Sequence, residues 1–235
     1  MPAAAIYGVV KKLSATRASR NGASVLGPKY HKLMLLRVLF FAVALCSTGF
    51  ADAIEAFGNK WTVPVAADWK VTQYGGGDIL TMLVERPQEK PRRPKQFALA
   101  ETRPFKKVTI EVDVKRIGKS LILVYAWRDD SHFNYVHLSN DAPKDQPVHN
   151  GIFHVYGGDR VRISPLEGPG SLASEDWTKV KVVHDGSTGT VTAWVNGQTS
   201  PSLKGIDLSL TSGKVGLGSF FEKAEFRNLT ITGEQ

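Results

Sequence analysis

The sequence of 235 residues predicts an all-β fold, an antiparallel sandwich or barrel, from Ile54 onward. Short runs of alternating apolar and polar residues recur along this part of the chain, and each run is followed by a turn signal. No amphipathic helix of convincing length interrupts them. About a dozen such runs occur, which is more than the seven strands of a constant-type immunoglobulin domain.

Twelve segments are predicted as strands: residues 69–73, 79–85, 97–101, 107–116, 120–128, 134–139, 151–156, 160–163, 178–185, 188–196, 213–219 and 224–232. The turns between them have a clear chemistry, because Gly157-Gly158-Asp159 and Asn196-Gly197 supply the positive-φ positions that tight hairpins need. Residues 87–94 are charged and proline-rich, and they are predicted as a loop because proline cannot donate to a sheet ladder. Residues 141–147 are predicted as a second loop.

The segment before this region has the anatomy of a secretory signal peptide. Within residues 34–53, the basic Arg37 precedes an apolar run from Val38 to Cys46, and the segment ends in Ala51-Asp52-Ala53. This order predicts cleavage after Ala53. The apolar run is shorter than the ~20 residues that cross a bilayer, so no stable membrane anchor is expected.

The chain is therefore predicted to have three parts. Residues 1–33 are an unstructured leader or a mis-assigned start that leaves Met34 as the first residue, residues 34–53 are the signal peptide, and residues 54–235 form one domain. The location predicted for this domain is secreted or periplasmic. Its sequence holds no cysteine, because Cys46 lies in the signal segment, so an internal disulfide is excluded.

The formal net charge of +8 is mostly a property of the leader. Residues 1–53 hold seven Lys or Arg against one Asp, so the remaining residues carry 23 basic and 21 acidic side chains, a balance of +2. A nearly neutral domain lacks the basic footprint of a nucleic-acid-binding protein. No nucleic-acid partner is predicted.

The segment 121–163 is the most informative part of the chain, because its predicted strands have two chemically different faces. One face is aliphatic, and the other carries aromatic and imidazole side chains. If Arg128 pairs with Asn134 across the intervening turn, Trp127 is expected directly opposite Tyr135. The same register places Tyr125 opposite a histidine, His137, on the same face.

The third strand of this segment repeats the alternation, so six side chains are predicted to form one ligand-binding face: Tyr125, Trp127, Tyr135, His137, His154 and Tyr156. Such a face suits a sugar, because pyranose C–H groups pack against aromatic rings while the hydroxyls take hydrogen bonds. The alternative is that these residues form a second hydrophobic layer beneath a loop, such as residues 87–94. Arg92 and Arg93 of that loop are expected to be solvated, although they could also reach over the face as bidentate donors.

Catalysis would need an acid or base near that face, and only His137, His149, Asp129 and Asp130 are candidates. A retaining glycosidase uses two carboxylates ~5 Å apart. The nearest strand motif is Glu111-Val112-Asp113, but Lys115 occupies the next position on the same face. The motif is therefore expected to form the solvated side of an outer strand.

No metal site is predicted. His137, His149 and His154 lie near one another in the strand map and could hold Zn²⁺, but no H-x-H pair occurs among them. Asp129-Asp130 followed by Asn134 leaves a structural calcium ion open, although an aspartate-rich hairpin turn explains these residues equally well.

Three motifs carry a resemblance to a known superfamily: YAWRDDSHFNYVHLS at 125–139, Asp176-Trp177 leading into KVKVVHDGSTGTVTAWVNG at 179–197, and GKVGLGSFFEKAEFRNLTITG at 213–233. From about Trp61 to Gly233 the chain resembles the concanavalin A-like lectin/glucanase superfamily. Within that superfamily it is most similar to secreted bacterial 3-keto-disaccharide hydrolase and laminin-G-like domains.

The resemblance implies a two-sheet antiparallel jelly-roll sandwich with no obligatory cofactor. It also implies a secreted carbohydrate-binding domain that either only binds its glycan or also cleaves glycosidic bonds, since many such domains bind without cleaving. The alternative is a laminin-G-like structural or adhesion module that contacts protein and has no catalytic activity. In the first case the partner is an oligo- or polysaccharide.

Overall fold

The computed structural model of the protein describes residues 52–141, 149–166 and 169–235. Within these ranges fifteen strands form two antiparallel sheets, which confirms the predicted all-β sandwich. In chain order the strands are β1 (Asp52–Ala56), β2 (Asn59–Val63), β3 (Trp69–Tyr74), β4 (Gly77–Met82), β5 (Gln96–Ala100), β6 (Lys107–Ile117), β7 (Ser120–Asp129), β8 (His132–Ser139), β9 (Gly151–Tyr156), β10 (Val161–Arg162), β11 (Thr178–Asp185), β12 (Thr190–Val195), β13 (Leu203–Ile206), β14 (Lys214–Ser219) and β15 (Lys223–Glu234). A short 3-10 helix, Ala66–Asp68, precedes β3. No helix in the described ranges is long and apolar enough to cross a membrane.

The two sheets pack face to face around one core. The eight-stranded sheet has the order β1-β2-β5-β14-β7-β8-β9-β10, and the seven-stranded sheet has the order β13-β12-β11-β6-β15-β4-β3. Strict alternation in β6 and β11 turns side chains such as Val112 and Val180 inward, where both are buried. Burial of these apolar side chains is the main favourable contribution to folding.

All twelve predicted strands are present, and β9 and β11 have the predicted bounds. Three strands were not predicted: β1, β2 and β13. The first of these begins at Asp52, before the predicted domain start at Ile54, and its residues were assigned in part to the signal segment. In β13, the glycine and lysine of Leu203–Ile206 gave too weak a pattern.

The outer face of the seven-stranded sheet is polar and held by cross-strand ion pairs. Glu111 Oε1 lies 3.3 Å from the Nζ of Lys181, and Asp113 Oδ2 lies 3.5 Å from the Nε of Arg227. The Glu111-Val112-Asp113 motif is thus the solvated side of a strand, as expected. Both carboxylates are thus held in ion pairs on the outer face of the seven-stranded sheet.

The eight-stranded sheet, in contrast, is apolar on both faces. Its inner face contributes to the core, and its outer face carries a second cluster of buried side chains: Phe97, Leu99, Ile122, Val124, Phe133, Tyr135, Phe153 and Val155. Trp127 packs against the edge of this cluster. The outer face therefore needs a cover, and part of the chain outside the strands supplies it.

The register between β7 and β8 differs from the predicted one because β7 contains a bulge. Tyr125 pairs with Asn134 and Val124 with Tyr135, and the ladder is irregular between Tyr125 and Asp129. At the bulge, Ala126 has a φ of 50°, which is left-handed backbone. Tyr125 and Ala126 both contribute to the inner core, and the alternation resumes with Trp127 on the outer face.

Candidate functional site

The six residues predicted to share one face lie on two. Trp127, Tyr135 and His137 belong to the outer side of the eight-stranded sheet, whereas Tyr125 is buried in the inner core. On β9, Phe153 and Val155 face outward, so the alternating side chains of His154 and Tyr156 face the opposite sheet. The prediction that these six side chains share one face is therefore wrong. One reason is the bulge in β7, which places Tyr125 and Trp127 on opposite faces.

His154 and Tyr156 lie at the edge between the two sheets. The Nδ1 of His154 is 3.4 Å from Asp207 Oδ2, and the same carboxylate oxygen accepts a hydrogen bond of 2.9 Å from the Nδ2 of Asn134. Tyr156 stacks on the His154 ring and is 57% exposed. These contacts tie the two sheets together at this edge, away from the outer cluster.

Tyr135 and His137 are on the outer face, but they are covered. The exposed fraction is 0% for Tyr135 and 1% for His137. The Nη1 of Arg160 donates to the Tyr135 hydroxyl at 3.2 Å and lies 3.2 Å from His137 Nδ1, while Phe220 stacks on the His137 ring. No sugar ring can stack on Tyr135 or His137 in this arrangement, which matches the alternative of a second hydrophobic layer.

The proline-rich loop contributes to this cover. The backbone N–H of Arg160 donates to the carbonyl of Arg92 at 2.9 Å, and the N–H of Arg92 donates to Asp159 Oδ1 at 2.6 Å. Arg92 is exposed, as expected for a loop residue, but Arg93 is half-buried. The loop is thus pinned to the segment between β9 and β10.

The remaining candidates for acid-base or metal chemistry are dispersed. His149 Nδ1 lies 2.5 Å from Asp141 Oδ2, and its ring centre is 6.2 Å from that of His137. His154 is on the other face of the sheet, so the three histidines do not converge. Over the described ranges, no group of three His, Cys, Asp or Glu side chains is placed to hold a metal ion.

The three residues considered for a calcium site do not point to a common position: Asp129, Asp130 and Asn134. Asp129 accepts hydrogen bonds from the backbone N–H of Ser131 and from His132 Nδ1, and the bond from Ser131 contributes most to lowering the pKa of this carboxyl. Asn134 is buried and donates inward to Asp207. Asp129 therefore organises the hairpin turn, and only Asp130 is left facing a cavity.

Because two histidines, His137 and His184, are buried, we expect the free energy of unfolding to decrease at acidic pH. Burial lowers the pKa of His137 well below its usual range, and the positive charge of Arg160 lowers it further; burial also lowers the pKa of His184. The unfolded chain therefore binds more protons than the native state below pH ~6.5, and stability falls as the pH decreases, by up to about 1.4 kcal/mol per pH unit for each group. Urea unfolding at pH 7.5, 6.5 and 5.5 measures this slope.

The His184→Gln variant tests the source of that pH dependence. We expect it to reduce the slope, with the contribution of His137 remaining, even if its stability at pH 7.5 is lower, because the slope depends on how many such groups titrate. Equal slopes in the parent and His184→Gln would contradict the assignment.

The accessible part of the outer face is a groove of about 570 Å³ beside the covered cluster. Its lining combines an apolar floor, an aromatic wall and a polar rim: Thr62, Val63, Pro64, Arg93, Pro94, Lys95, Phe97, Leu99, Trp127 and Asp130. Two of the sequence candidates, Trp127 and Asp130, are thus brought together here with Arg93, the loop residue that could reach over the face. The others from the predicted face are not part of it.

The local sequence leaves room for the Phe97 side chain, which lines the groove, because a Cβ at Gly216 or Gly218 would contact Phe97. The strand β14 lies between β5 and β7, and Gly216 pairs with both Leu99 and Val124. Val215 and Leu217 of β14 face the inner core, so Gly216 and Gly218 face outward and add no side chain to this surface. Trp127, which is half-buried, forms a wall of the groove, with Lys214 Nζ 6.0 Å from its ring centre.

Seven lining residues were not predicted as part of a site: Thr62, Val63, Pro64, Pro94, Lys95, Phe97 and Leu99. The available signal was the Gly-Leu-Gly alternation at Gly216 to Gly218, which leaves one face of a central strand without side chains. The Nε1 of Trp127 meets no acceptor among the described residues. The groove therefore offers a partly exposed indole above an apolar floor, with charged groups at its rim.

No protein-family model and no curated protein matches the chain. Solved structures do match, and one is the carbohydrate-binding module CBM66 from Bacillus subtilis, with a TM-score of 0.53, 13% identity, and coverage of 74% of this chain and 95% of that one. Another is a protein of unknown function with a galectin-like fold from Bacillus subtilis, with a TM-score of 0.43, 17% identity, and coverage of 72% and 88%.

At these identities the likeness shows the fold alone. The chain is an all-β two-sheet antiparallel sandwich, consistent with the concanavalin A-like jelly roll. None of these matches points specifically to the 3-keto-disaccharide hydrolases.

Proposed function

We propose that the protein is a carbohydrate-binding domain and that its ligand occupies the groove beside Trp127. The observation that carries this proposal is the half-buried indole of Trp127, which flanks an apolar floor formed by Phe97 and Leu99. A sugar ring can pack its C–H face on such a surface while its hydroxyls reach Asp130 and Arg93 at the rim. The fold shared with a carbohydrate-binding module supports it.

Binding is better supported than cleavage. Among the residues that line the described groove, Asp130 is the single carboxylate, whereas glycoside hydrolysis with either stereochemical outcome generally uses a pair. The histidine candidates do not compensate, because His137 is covered and His149 contacts Asp141 outside the groove. Product release from bound glycans is therefore not expected, and its detection would show that the domain cleaves glycosidic bonds.

We also propose that the domain is exported. The basic residue, apolar run and small-residue ending of residues 34–53 support a secretory signal, and a carbohydrate-binding domain would meet polysaccharide outside the cytoplasm. Fractionation of a host that expresses the full chain, followed by N-terminal sequencing of the exported form, tests this. An uncleaved cytoplasmic product would overturn it.

The test of the binding function is a glycan array that holds neutral and acidic glycans, followed by titration of the ligands that bind. We expect Trp127→Ala to weaken binding by about tenfold or more, since aromatic stacking contributes about 0.5–1.5 kcal/mol in addition to the apolar area that is buried. Trp194 is the matched control, because it is also half-buried but lies on the seven-stranded sheet, where it pairs with Lys181. Trp194→Ala should bind as the parent does.

Three results would contradict or redirect the proposal. If Trp194→Ala loses binding and Trp127→Ala does not, the site lies on the other sheet. If both variants bind normally, the groove is not the site. If the parent protein binds no glycan, the laminin-G-like alternative of a protein-contacting adhesion module takes its place.

A further inference from the structure

Three charged side chains line the groove, and of these Lys95 is paired within the described residues whereas Arg93 and Asp130 are not; a further ion pair lies in the neighbouring pocket. Arg86 forms a bidentate pair with Asp68, through Nε to Oδ2 at 2.6 Å and Nη2 to Oδ1 at 2.7 Å. Lys95 Nζ lies 2.6 Å from Glu89 Oε2. The partners of these pairs are thereby satisfied locally.

Arg93 and Asp130 differ from Lys95 in this respect. Both line the groove, and neither forms an ion pair with any other residue in the described part of the chain. The Nη1 of Arg93 is shielded from solvent without a described acceptor, which leaves its guanidinium only partly satisfied. The lining of the groove thus contains one cation and one carboxylate without an ion-pair partner in the described ranges, and the two are separated by more than an ion-pair distance.

Arg93 and Asp130 need different hydrogen-bonding groups on a ligand. A guanidinium has donors only and needs an acceptor, whereas an ionised carboxylate accepts only and needs a donor. A pair of neighbouring sugar hydroxyls supplies both, because each hydroxyl donates one hydrogen bond and accepts others. A sugar carboxylate would satisfy Arg93 but would bring a second negative charge toward Asp130.

We propose, resting on the carbohydrate function proposed above, that the groove selects neutral sugars that present adjacent hydroxyls. Trp127 stacks on the ring, Arg93 donates to one hydroxyl, and Asp130 accepts from its neighbour. Asp130 also discriminates against uronates, since an unfavourable like-charge contact is an effective way to reject a competing ligand. The side chain of Asp130 is the specificity determinant of the groove.

The probes are soluble mannan, glucan and galactan, each compared with the same polymer oxidised at C6 to the uronate. Affinity electrophoresis of the complete protein measures retardation by all six. We expect at least one neutral polymer to bind and its oxidised form to bind about fivefold or more weakly. Preference for the oxidised form would overturn the selectivity and leave sugar binding standing. No retardation by any of the six would overturn the selectivity, and it would overturn sugar binding as well only if the glycan array also showed no bound ligand.

Asp130→Asn tests the role assigned to this residue. It should weaken binding of the neutral polymer by about fivefold, because a charge-assisted hydrogen bond is replaced by a neutral one. It should also reduce or reverse the preference for the neutral polymer over its oxidised form. Glu175→Gln removes the same charge from a side chain that is 79% exposed and distant from the groove lining, so it should change neither value. If the ratio of the affinities for the neutral and the oxidised polymer were the same in Asp130→Asn and in the parent, Asp130 would not be the specificity determinant.

Discussion

Replacing Gly213 with alanine is expected to lower the free energy of unfolding by about 3 kcal/mol. Gly213 faces the bulge in β7, and a Cβ at this position would overlap the backbone of Ala126 and Trp127. Backbone atoms cannot rotate away as a flexible side chain can, so either the bulge or β14 must shift. Chemical denaturation of the variant and the parent measures the difference.

The same substitution should weaken ligand binding, because the bulge sets the position of Trp127. Gly158→Ala is the control: nothing lies within 4 Å of the added methyl group, and Gly158 is outside the left-handed region. We expect that variant to stay within about 0.5 kcal/mol of the parent. If Gly213→Ala were as stable as Gly158→Ala and bound glycan normally, the close approach of β14 to the bulge would not be needed.

Glu222→Ala is the second substitution with a large expected effect, a loss of about 3 kcal/mol in unfolding free energy. Glu222 is only 8% exposed, and its Oε2 accepts hydrogen bonds from the backbone N–H of Lys119 at 3.0 Å and from the backbone N–H and hydroxyl of Ser120 at 2.5 and 2.8 Å. Removal of the carboxylate leaves the two donors of Ser120, which is only 4% exposed, without partners.

Glu222→Gln distinguishes the hydrogen bonds from the charge. Its amide oxygen can still accept from Ser120, so a smaller loss than in the alanine variant is expected. Glu55 of β1 is exposed and serves as the control, since Glu55→Ala should be nearly neutral. Thermal and urea unfolding measure all three variants, and equal stability of Glu222→Ala and Glu55→Ala would contradict the role assigned to this carboxylate.

Local alternation predicted the strands well because each buried strand must place apolar residues on one side. In β6 and β11, side chains such as Val112 and Val180 face the core, and Glu111 is on the outer surface as expected. These positions depend only on the twofold period of a strand and on which face is buried. Both are readable from the local sequence.

The candidate site was predicted only in part. Trp127 and Asp130 were named from the sequence and do line the groove, but Tyr135 and His137 were expected to be accessible and are buried. Their cover comes from Arg160, Phe220 and the proline-rich loop, which are distant from β8 in the chain. Strand alternation predicts which face of the sheet a residue occupies. It does not predict whether another segment of the chain covers that face.

The sequence by itself determined the all-β class, the number and position of most strands, and the inward or outward direction of side chains in regular strands such as β6. The tertiary structure decided which aromatic residues are accessible. Tyr125 and Trp127 have the spacing of one face, yet the bulge at Ala126 sends them to opposite faces. That bulge forms where Gly213 of a distant segment lets two backbones approach closely, so it depends on pairing between segments and not on the local period.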